Sequence, residues 1–164
     1  MSYRLRELEL PILPAGRADI RVLHFSDLHL TPARKSEITD IKSWAALKPD
    51  LVISTGDFLA HMDAVPVVLD ALDELLNIPG LFVFGSNDYF APKPKNPFSY
   101  LMKDHGKRII GRDLPWQDLA DGLTNRGWKN INISRTTITI RNTLIEARGT
   151  DDAHLERDNY KEVA

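Results

Sequence analysis

Short apolar runs alternate with amphipathic segments through the first half of the chain, a pattern that predicts strands separated by helices. Three apolar runs, at residues 20–25, 51–54 and 81–84, have the length and composition of buried strands. The segments between them, 35–47 and 65–76, carry apolar residues at helical spacing. Each repeat of strand and helix is about 30 residues long, as in a βαβ unit. The pattern therefore predicts a βαβαβ core with a parallel sheet and right-handed crossovers.

The segments on either side of this core predict further strands and one more helix. Residues 3–10 alternate charged and apolar side chains, which predicts an edge strand. Residues 116–126 predict a helix that ends before Gly127. An antiparallel meander is predicted beyond it, with strands at 128–133, 136–140 and 143–147 and turns at 134–135 and 141–142. The predicted fold class is thus α/β, with a parallel sheet core and an antiparallel meander.

Length and composition are those of one ordinary globular domain. The 164 residues are 43% apolar and 27% charged, with a net charge of −2 and no cysteine. This balance excludes disulfides and thiolate metal ligands, and it favours neither a nucleic-acid groove nor an anionic membrane surface. No apolar run approaches the roughly 18 residues of a membrane span, and residues 1–10 lack the apolar stretch of a signal peptide. We therefore expect a cytoplasmic protein with no membrane span and no nucleic-acid partner.

Polar motifs directly follow the three predicted strands of the core. They are Ser26-Asp27-Leu28-His29, Thr55-Gly56-Asp57 and Gly85-Ser86-Asn87-Asp88. Asp27, Asp57 and Asn87 are spaced at intervals of about 30 residues, the length of one βαβ unit. Because parallel strands end at the same edge of a sheet, we expect these residues to meet at the carboxyl edge, where α/β sheets bind their ligands.

The side chains of these motifs are suited to a divalent metal site. On an extended backbone, Asp27 and His29 would face the same side and bind one ion, while Leu28 points into the apolar layer. Asp57 has two carboxylate oxygens and can bridge two ions, and Asn87 can add a neutral oxygen. Such a mixed donor set suits Mn, Fe or Zn. Two ions about 3.5–4 Å apart clamp the attacking and leaving oxygens of a displacement at phosphorus, so the motifs indicate phosphate-ester chemistry.

Each motif taken alone also has an ordinary structural explanation. Asp-x-His is common, Gly-Asp is typical of a turn, and the Asn and Asp of the third motif bond readily to their own backbone. The conjunction of three polar motifs after three strands is what favours a metal site.

The other histidines and one long loop have weaker claims to a function. His24 is expected to pack in the core, because it has the opposite strand parity to Asp27. His61 and His105 are expected in surface loops. His154 could approach a metal, but a solvated loop is the favoured interpretation. Residues 89–107 predict a long ordered loop whose lysines are candidates to hold a phosphate or a partner.

Residues 26–29, 54–57 and 84–89 closely resemble the first three blocks of the calcineurin-like metallophosphoesterases, and residues 49–52 resemble the lead-in to the second block. The resemblance covers about residues 21–89 with high specificity. It implies a four-layer α/β/β/α sandwich with a dinuclear metal centre that hydrolyses phosphate mono- or diesters. By matching position, it implies that Asp27 and His29 bind the first ion and that Asp57 bridges both.

The third motif departs from the family pattern, Gly-Asn-His-Asp/Glu, in which Asn binds the second ion and His lies near the leaving-group oxygen. Aligned without a gap, Ser86 replaces that Asn and Asn87 replaces the His. With a shift of one residue, Asn87 keeps the metal role and Asp88 takes the position of the His. We favour Asn87 as the ligand, because a serine hydroxyl is a poor one. Asp88 is then the predicted catalytic residue and Ser86 the predicted substrate-binding residue.

A second departure concerns the histidines that the family carries further along its chain, including a Gly-His-x-His block. None of the five histidines here lies in such a block. We therefore expect residues 1–164 to be a single domain that is the N-terminal part of a longer one, with an incomplete dinuclear centre. The alternative is a non-catalytic metal-binding or protein-interaction module. A sheet face left without cover would favour self-association or pairing with the missing C-terminal strands.

Overall fold

The computed structural model of the chain describes residues 3–92 and 111–164. The strands in this part are β1 (Val22–Phe25), β2 (Leu51–Ser54), β3 (Gly80–Phe82), β4 (Lys129–Asn130), β5 (Ser134–Ile140) and β6 (Thr143–Gly149). The helices are α1 (Lys35–Lys42), α2 (Val65–Ala71), α3 (Ser86–Tyr89), α4 (Trp116–Asn125) and α5 (Tyr160–Val163). Short 3₁₀ helices lie at Ser43–Leu47, Leu75–Asn77 and Ala153–Leu155. The lysines of the predicted 89–107 loop and His105 lie outside the described residues.

The first four strands form one parallel sheet in the order β1-β2-β3-β4. Leu23 pairs with Val52, and Ile53 pairs with Leu81. The predicted βαβαβ core is confirmed, although β1 begins at Val22 and β3 is shifted to Gly80–Phe82. All four strands therefore end at one edge of the sheet.

The first strand of the predicted meander belongs to this sheet instead, so that part of the prediction is wrong. β4 pairs in parallel with β3, where Leu81 lies beside Lys129. This pairing is possible because Gly80 in β3 has no side chain, which leaves room for the indole of Trp128. A Cβ on Gly80 would collide with that ring. The buried Trp128 ring also donates from Nε1 to the carbonyl oxygen of Ile78 at 3.1 Å. This large side chain anchors its segment beside β3.

The other two predicted strands form an antiparallel hairpin, β5–β6. Its turn is confirmed at Arg141 and Asn142, whose φ values of 46° and 61° fit the type I′ turn of a two-residue hairpin. The turn predicted at 134–135 is wrong, since these residues begin β5. The chain turns earlier, where the Ser134 N–H donates to the Ile131 carbonyl at 3.2 Å.

Helices cover one face of the parallel sheet, and the hairpin packs on the other. The helix face buries Phe25, Val52 and Phe82 of the sheet together with Ile41, Val68 and Leu119 of the helices. The hairpin face buries Leu51, Leu81, Ile131 and Ile140. The described residues thus stack as helices, parallel sheet and hairpin, and the predicted α/β class is confirmed.

The predicted N-terminal edge strand is absent from the described residues, because positions 3–21 contain no strand. Four large apolar side chains of this segment are exposed, at Leu5, Leu8, Leu10 and Ile12, and Leu8 reaches 84%. Pairing would therefore gain little from the hydrophobic effect. Tyr3 at the start of the segment packs on the core, with its hydroxyl donating to the Leu28 carbonyl at 3.2 Å and its ring against Trp44. Ile20 near the end of the segment packs on the hairpin side.

The helices are shorter than predicted, and their ends have local causes. α1 passes into a 3₁₀ helix that ends at Leu47, and the next residue, Lys48, has a left-handed φ of 53° just before Pro49. α4 ends as predicted before Gly127, where φ is +95°. Within residues 3–92 and 111–164, every helix is too short or too polar to cross a bilayer.

Candidate metal centre

Three of the predicted ligands converge at the carboxyl edge of the sheet. Asp27 and His29 follow β1, and Asp57 follows β2. One donor atom from each lies within 4.8 Å of the other two. The Nε2 atom of His29 is 3.6 Å from Oδ1 of Asp27 and 3.7 Å from Oδ2 of Asp57. Two carboxylates and one imidazole thus surround a common point, open to solvent on the side of Asp27.

The backbone that brings these side chains together is not the extended one predicted from the sequence. Asp27, His29 and Asp57 all have a left-handed φ, at 58°, 43° and 59°. Few residues other than glycine adopt this region, and they are often found at functional sites. Leu28, between Asp27 and His29, is 1% exposed and packs inward as predicted. Asp27 and His29 still lie on the same side of the loop, with their side chains 3.6 Å apart.

Hydrogen bonds between the loops after β1 and β2 hold these conformations in place. The N–H of Asp27 donates to the Gly56 carbonyl at 3.1 Å, and that of His29 donates to the Asp57 carbonyl at 2.9 Å. The N–H of Leu30 then donates to the Phe58 carbonyl at 2.8 Å. The two loops therefore continue the strand pairing past the sheet, and this register places the first motif against the second.

Two glycines allow the loops after β2 and β3 to touch. Gly56 has φ of +94°, and a Cβ there would collide with the backbone of Phe84 and Gly85. A Cβ on Gly85 would collide with the carboxylate of Asp57. The absence of both side chains brings Asp57 against the third motif.

Gly56→Ala is expected to lower the free energy of unfolding by about 2–4 kcal/mol, through the left-handed φ and the backbone collision together. Gly127→Ala is a matched control, because its φ of +95° is nearly the same and a Cβ there would have nothing within 4 Å. It should cost only the conformational part, about 1 kcal/mol. Urea unfolding of both variants measures the difference, and equal losses would show that the contact at Gly56 is unimportant.

Asn87 lies against Asp57 and uses both of its carboxylate oxygens. The Asn87 N–H donates to Oδ1 at 2.9 Å, and its Nδ2 donates to Oδ2 at 2.7 Å. Ser86, the first residue of α3, is partly exposed. The structure therefore brings Asn87 to the Asp27–His29–Asp57 group by way of Asp57.

Asp88 has a different environment, since it is fully buried. Its Oδ2 accepts the N–H groups of Asp57 at 2.8 Å and Gly85 at 3.0 Å. Its Oδ1 accepts those of Phe58 at 2.7 Å and Leu59 at 3.1 Å. Burial raises the pKa of Asp88 to about 7, against the lowering effect of the N–H donors. The carboxylate joins the second and third motifs and is enclosed by their backbone.

A polar network on the far side of the third motif was not predicted from the sequence. Asn132, which follows β4, bonds to Tyr89 at the end of α3. The Tyr89 hydroxyl lies 2.9 Å from both carboxylate oxygens of Asp151, and the Arg157 guanidinium stacks 4.0 Å from its ring centroid. In the structure Asn132 follows its strand as the other motifs follow theirs, because the strand ends at Asn130. The strand predicted at 128–133 includes Asn132, so this residue does not stand out in the sequence as a polar residue after a strand.

The prediction for His24 is wrong, because this residue is exposed. His24 lies on the hairpin side of β1, which is an edge strand of the sheet. Val22, on the same face of β1, is also exposed, at 45%. Its Nε2 is 3.0 Å from the Thr55 hydroxyl. His61 and His154 are exposed as expected, beside Asp63 and Asp152 respectively.

Comparison with known families agrees with this geometry. The family model of the calcineurin-like phosphoesterases matches residues 20–161, which is most of the chain. The chain therefore belongs to the calcineurin-like phosphoesterase family, and the predicted resemblance is confirmed. The members of this family are metal-dependent hydrolases of phosphate esters, and the Asp27–His29–Asp57 group is of the kind that can hold a metal. A search of curated proteins returned no match.

Proposed function

We propose that this chain binds two divalent ions and hydrolyses phosphate mono- or diesters, with Asp27, His29, Asp57 and Asn87 as metal ligands. The observation that carries the proposal is the convergence of Asp27, His29 and Asp57 within 4.8 Å on left-handed backbone. Strained conformations at three neighbouring donors favour a functional site over ordinary turns.

The donor set fits divalent ions of intermediate hardness. Two carboxylates and one imidazole suit Mn, Fe or Zn. Asp57 lies between His29 and Asn87. Oδ2 of Asp57 is 3.7 Å from Nε2 of His29, and Oδ1 of Asp57 accepts the Asn87 N–H at 2.9 Å. This central position supports a bridging role for Asp57. Asn87 would serve as a ligand after a half-turn of its amide, which exchanges Nδ2 for Oδ1.

The chain's own residues would position the ions and the ester. When bound, the ions would activate water as the nucleophile and stabilise negative charge on the phosphoryl group. Ser86, partly exposed beside Asn87, would donate a hydrogen bond to a phosphate oxygen. Asp88 would hold the second and third motifs together rather than exchange protons with substrate, because its carboxylate accepts four backbone N–H groups.

A non-catalytic metal-binding module is the second candidate, and the third motif favours it. The family has a histidine near the leaving-group oxygen, and this motif contains none. We therefore expect slow turnover at best. The cytoplasmic location, the single-domain organisation and the self-association expected from the sequence stay predictions.

Titration calorimetry with Mn²⁺ and hydrolysis of bis(p-nitrophenyl) phosphate and p-nitrophenyl phosphate test the proposal. His29→Ala is expected to abolish most Mn²⁺ binding, because the group has one imidazole. His61→Ala, at an exposed position beside Asp63, is the matched control and should bind as the wild type does. Metal binding with no hydrolysis of either ester would favour the non-catalytic module. Equal Mn²⁺ affinity in both variants would rule out the proposed site.

A further inference from the structure

Asn132 bonds to both flanks of the third motif, residues 85–88. Its Oδ1 accepts the N–H of Phe84, just before the motif, at 2.9 Å. Its Nδ2 donates to the hydroxyl of Tyr89, just after the motif, at 3.0 Å. Its own N–H donates to the side chain of Asn130 at 2.9 Å, which holds the Asn132 backbone in place. One side chain therefore spans the loop that carries Asn87.

The bond to Phe84 takes over where strand pairing stops. The ladder between β3 and β4 ends with the Ile131 N–H donating to the Phe82 carbonyl at 2.9 Å. Phe84 is 2% exposed, so its N–H needs a partner within the protein. The amide oxygen of Asn132 supplies this partner in place of a strand backbone.

The orientation of the Asn132 amide follows from its partners. The Phe84 N–H can only donate, so Oδ1 must face it and Nδ2 must face Tyr89. The Tyr89 hydroxyl accepts this bond and donates its own proton to Asp151. The chain of bonds thus runs in one direction, from Asn132 through Tyr89 to Asp151.

Close packing of β6 against the segment after β4 brings Asp151 within reach of Tyr89. A Cβ on Gly149, the last residue of β6, would collide with the Ile131 carbonyl and press on Val83. Asp151 follows two residues later, with its side chain 9% exposed. The segment after the hairpin therefore supports the third motif through the bond between Asp151 and Tyr89.

We propose that Asn132 is a positioning residue that holds the third motif so that Asn87 meets Asp57. It acts through its hydrogen bonds to Phe84 and Tyr89, which are not among the proposed metal ligands. The consequence for metal binding rests on the proposed function. The effect on Asn87 does not, because its bonds to Asp57 exist in the protein alone.

Amide hydrogen exchange and Mn²⁺ titration of Asn132→Ala test the proposal. The Asn87 N–H, which bonds to Asp57, is expected to lose protection, while the Asp27 N–H, which bonds to Gly56, keeps it. Mn²⁺ affinity should fall about 10- to 100-fold, as is usual when a residue that orients a ligand is removed.

Val68→Ala is the control for plain loss of stability, because it removes a fully buried side chain from α2. It should leave Asn87 exchange and Mn²⁺ affinity unchanged. If Asn132→Ala does not fold, Tyr89→Phe keeps the ring and the bond from Asn132 to Phe84. It should give a smaller loss of Asn87 protection in the same direction.

Unchanged exchange at Asn87 in folded Asn132→Ala and Tyr89→Phe would overturn the proposal. So would an equal loss of protection in Val68→Ala, since the effect would then be general destabilisation. Faster exchange at Asn87 in a protein whose wild type binds no Mn²⁺ would support the positioning role of Asn132 and reject the proposed metal centre.

Discussion

Asp57→Asn is expected to weaken Mn²⁺ binding by more than the 10- to 100-fold that is typical of losing an outer-shell partner. The substitution keeps the shape of the side chain and can still accept the Asn87 N–H, now 2.9 Å from Oδ1. It removes the negative charge that lies 3.7 Å from His29. It also leaves one acceptor oxygen where the proposed bridge needs two. Calorimetry and the Mn²⁺ EPR signal measure the loss.

Asp70→Asn is the control for the change in net charge. Asp70 is 64% exposed in its side chain and pairs with Lys42 at 2.8 Å, on the surface of α2. Its Mn²⁺ affinity should equal that of the wild type. Wild-type affinity in Asp57→Asn would contradict the assignment of Asp57 as a ligand. Circular dichroism checks that both variants are folded.

Asp88→Ala is expected to lower the free energy of unfolding by about 2–6 kcal/mol, because it leaves the buried N–H groups of Phe58 and Leu59 without an acceptor, each costing about 1–3 kcal/mol. The partly buried N–H groups of Asp57 and Gly85 lose the same acceptor. For a domain of this size, the melting temperature should fall on the order of 10 °C or more. Thermal and urea unfolding measure the effect.

Asp63→Ala is the matched control for Asp88→Ala, because its side chain is 80% exposed. It should change stability little, since exposed substitutions usually have small effects. Exchange at the Phe58 and Leu59 amides gives a local test, because both donate to Oδ1 of Asp88. A melting temperature unchanged by Asp88→Ala would mean that water satisfies these donors.

The parallel core and the positions of its motifs could be predicted because each depends on residues close in sequence. A strand such as Leu51–Ser54 is apolar along its length, and polar residues follow it at once. Parallel strands joined by crossover helices then end at one edge, whatever the details of packing. The meeting of Asp27 and Asp57 could therefore be expected from the sequence alone.

Partners distant in sequence could not be predicted in the same way. The run 128–133 has the β propensity of a meander strand, and propensity does not specify which strand lies beside it. The space over Gly80 for the Trp128 ring decides that partner. The same choice brings Asn132 to the third motif, which explains why neither was predicted.

What the sequence by itself determined is the βαβαβ order of the core, the family, and the donor atoms at the edge of the sheet. Only the tertiary structure decided the left-handed backbone of Asp27 and His29 and the enclosure of Asp88. The reason is energetic: a left-handed residue other than glycine, or a buried carboxylate, is unfavourable on its own. Each persists because backbone groups from a neighbouring loop, about 30 residues away in the chain, supply its hydrogen bonds.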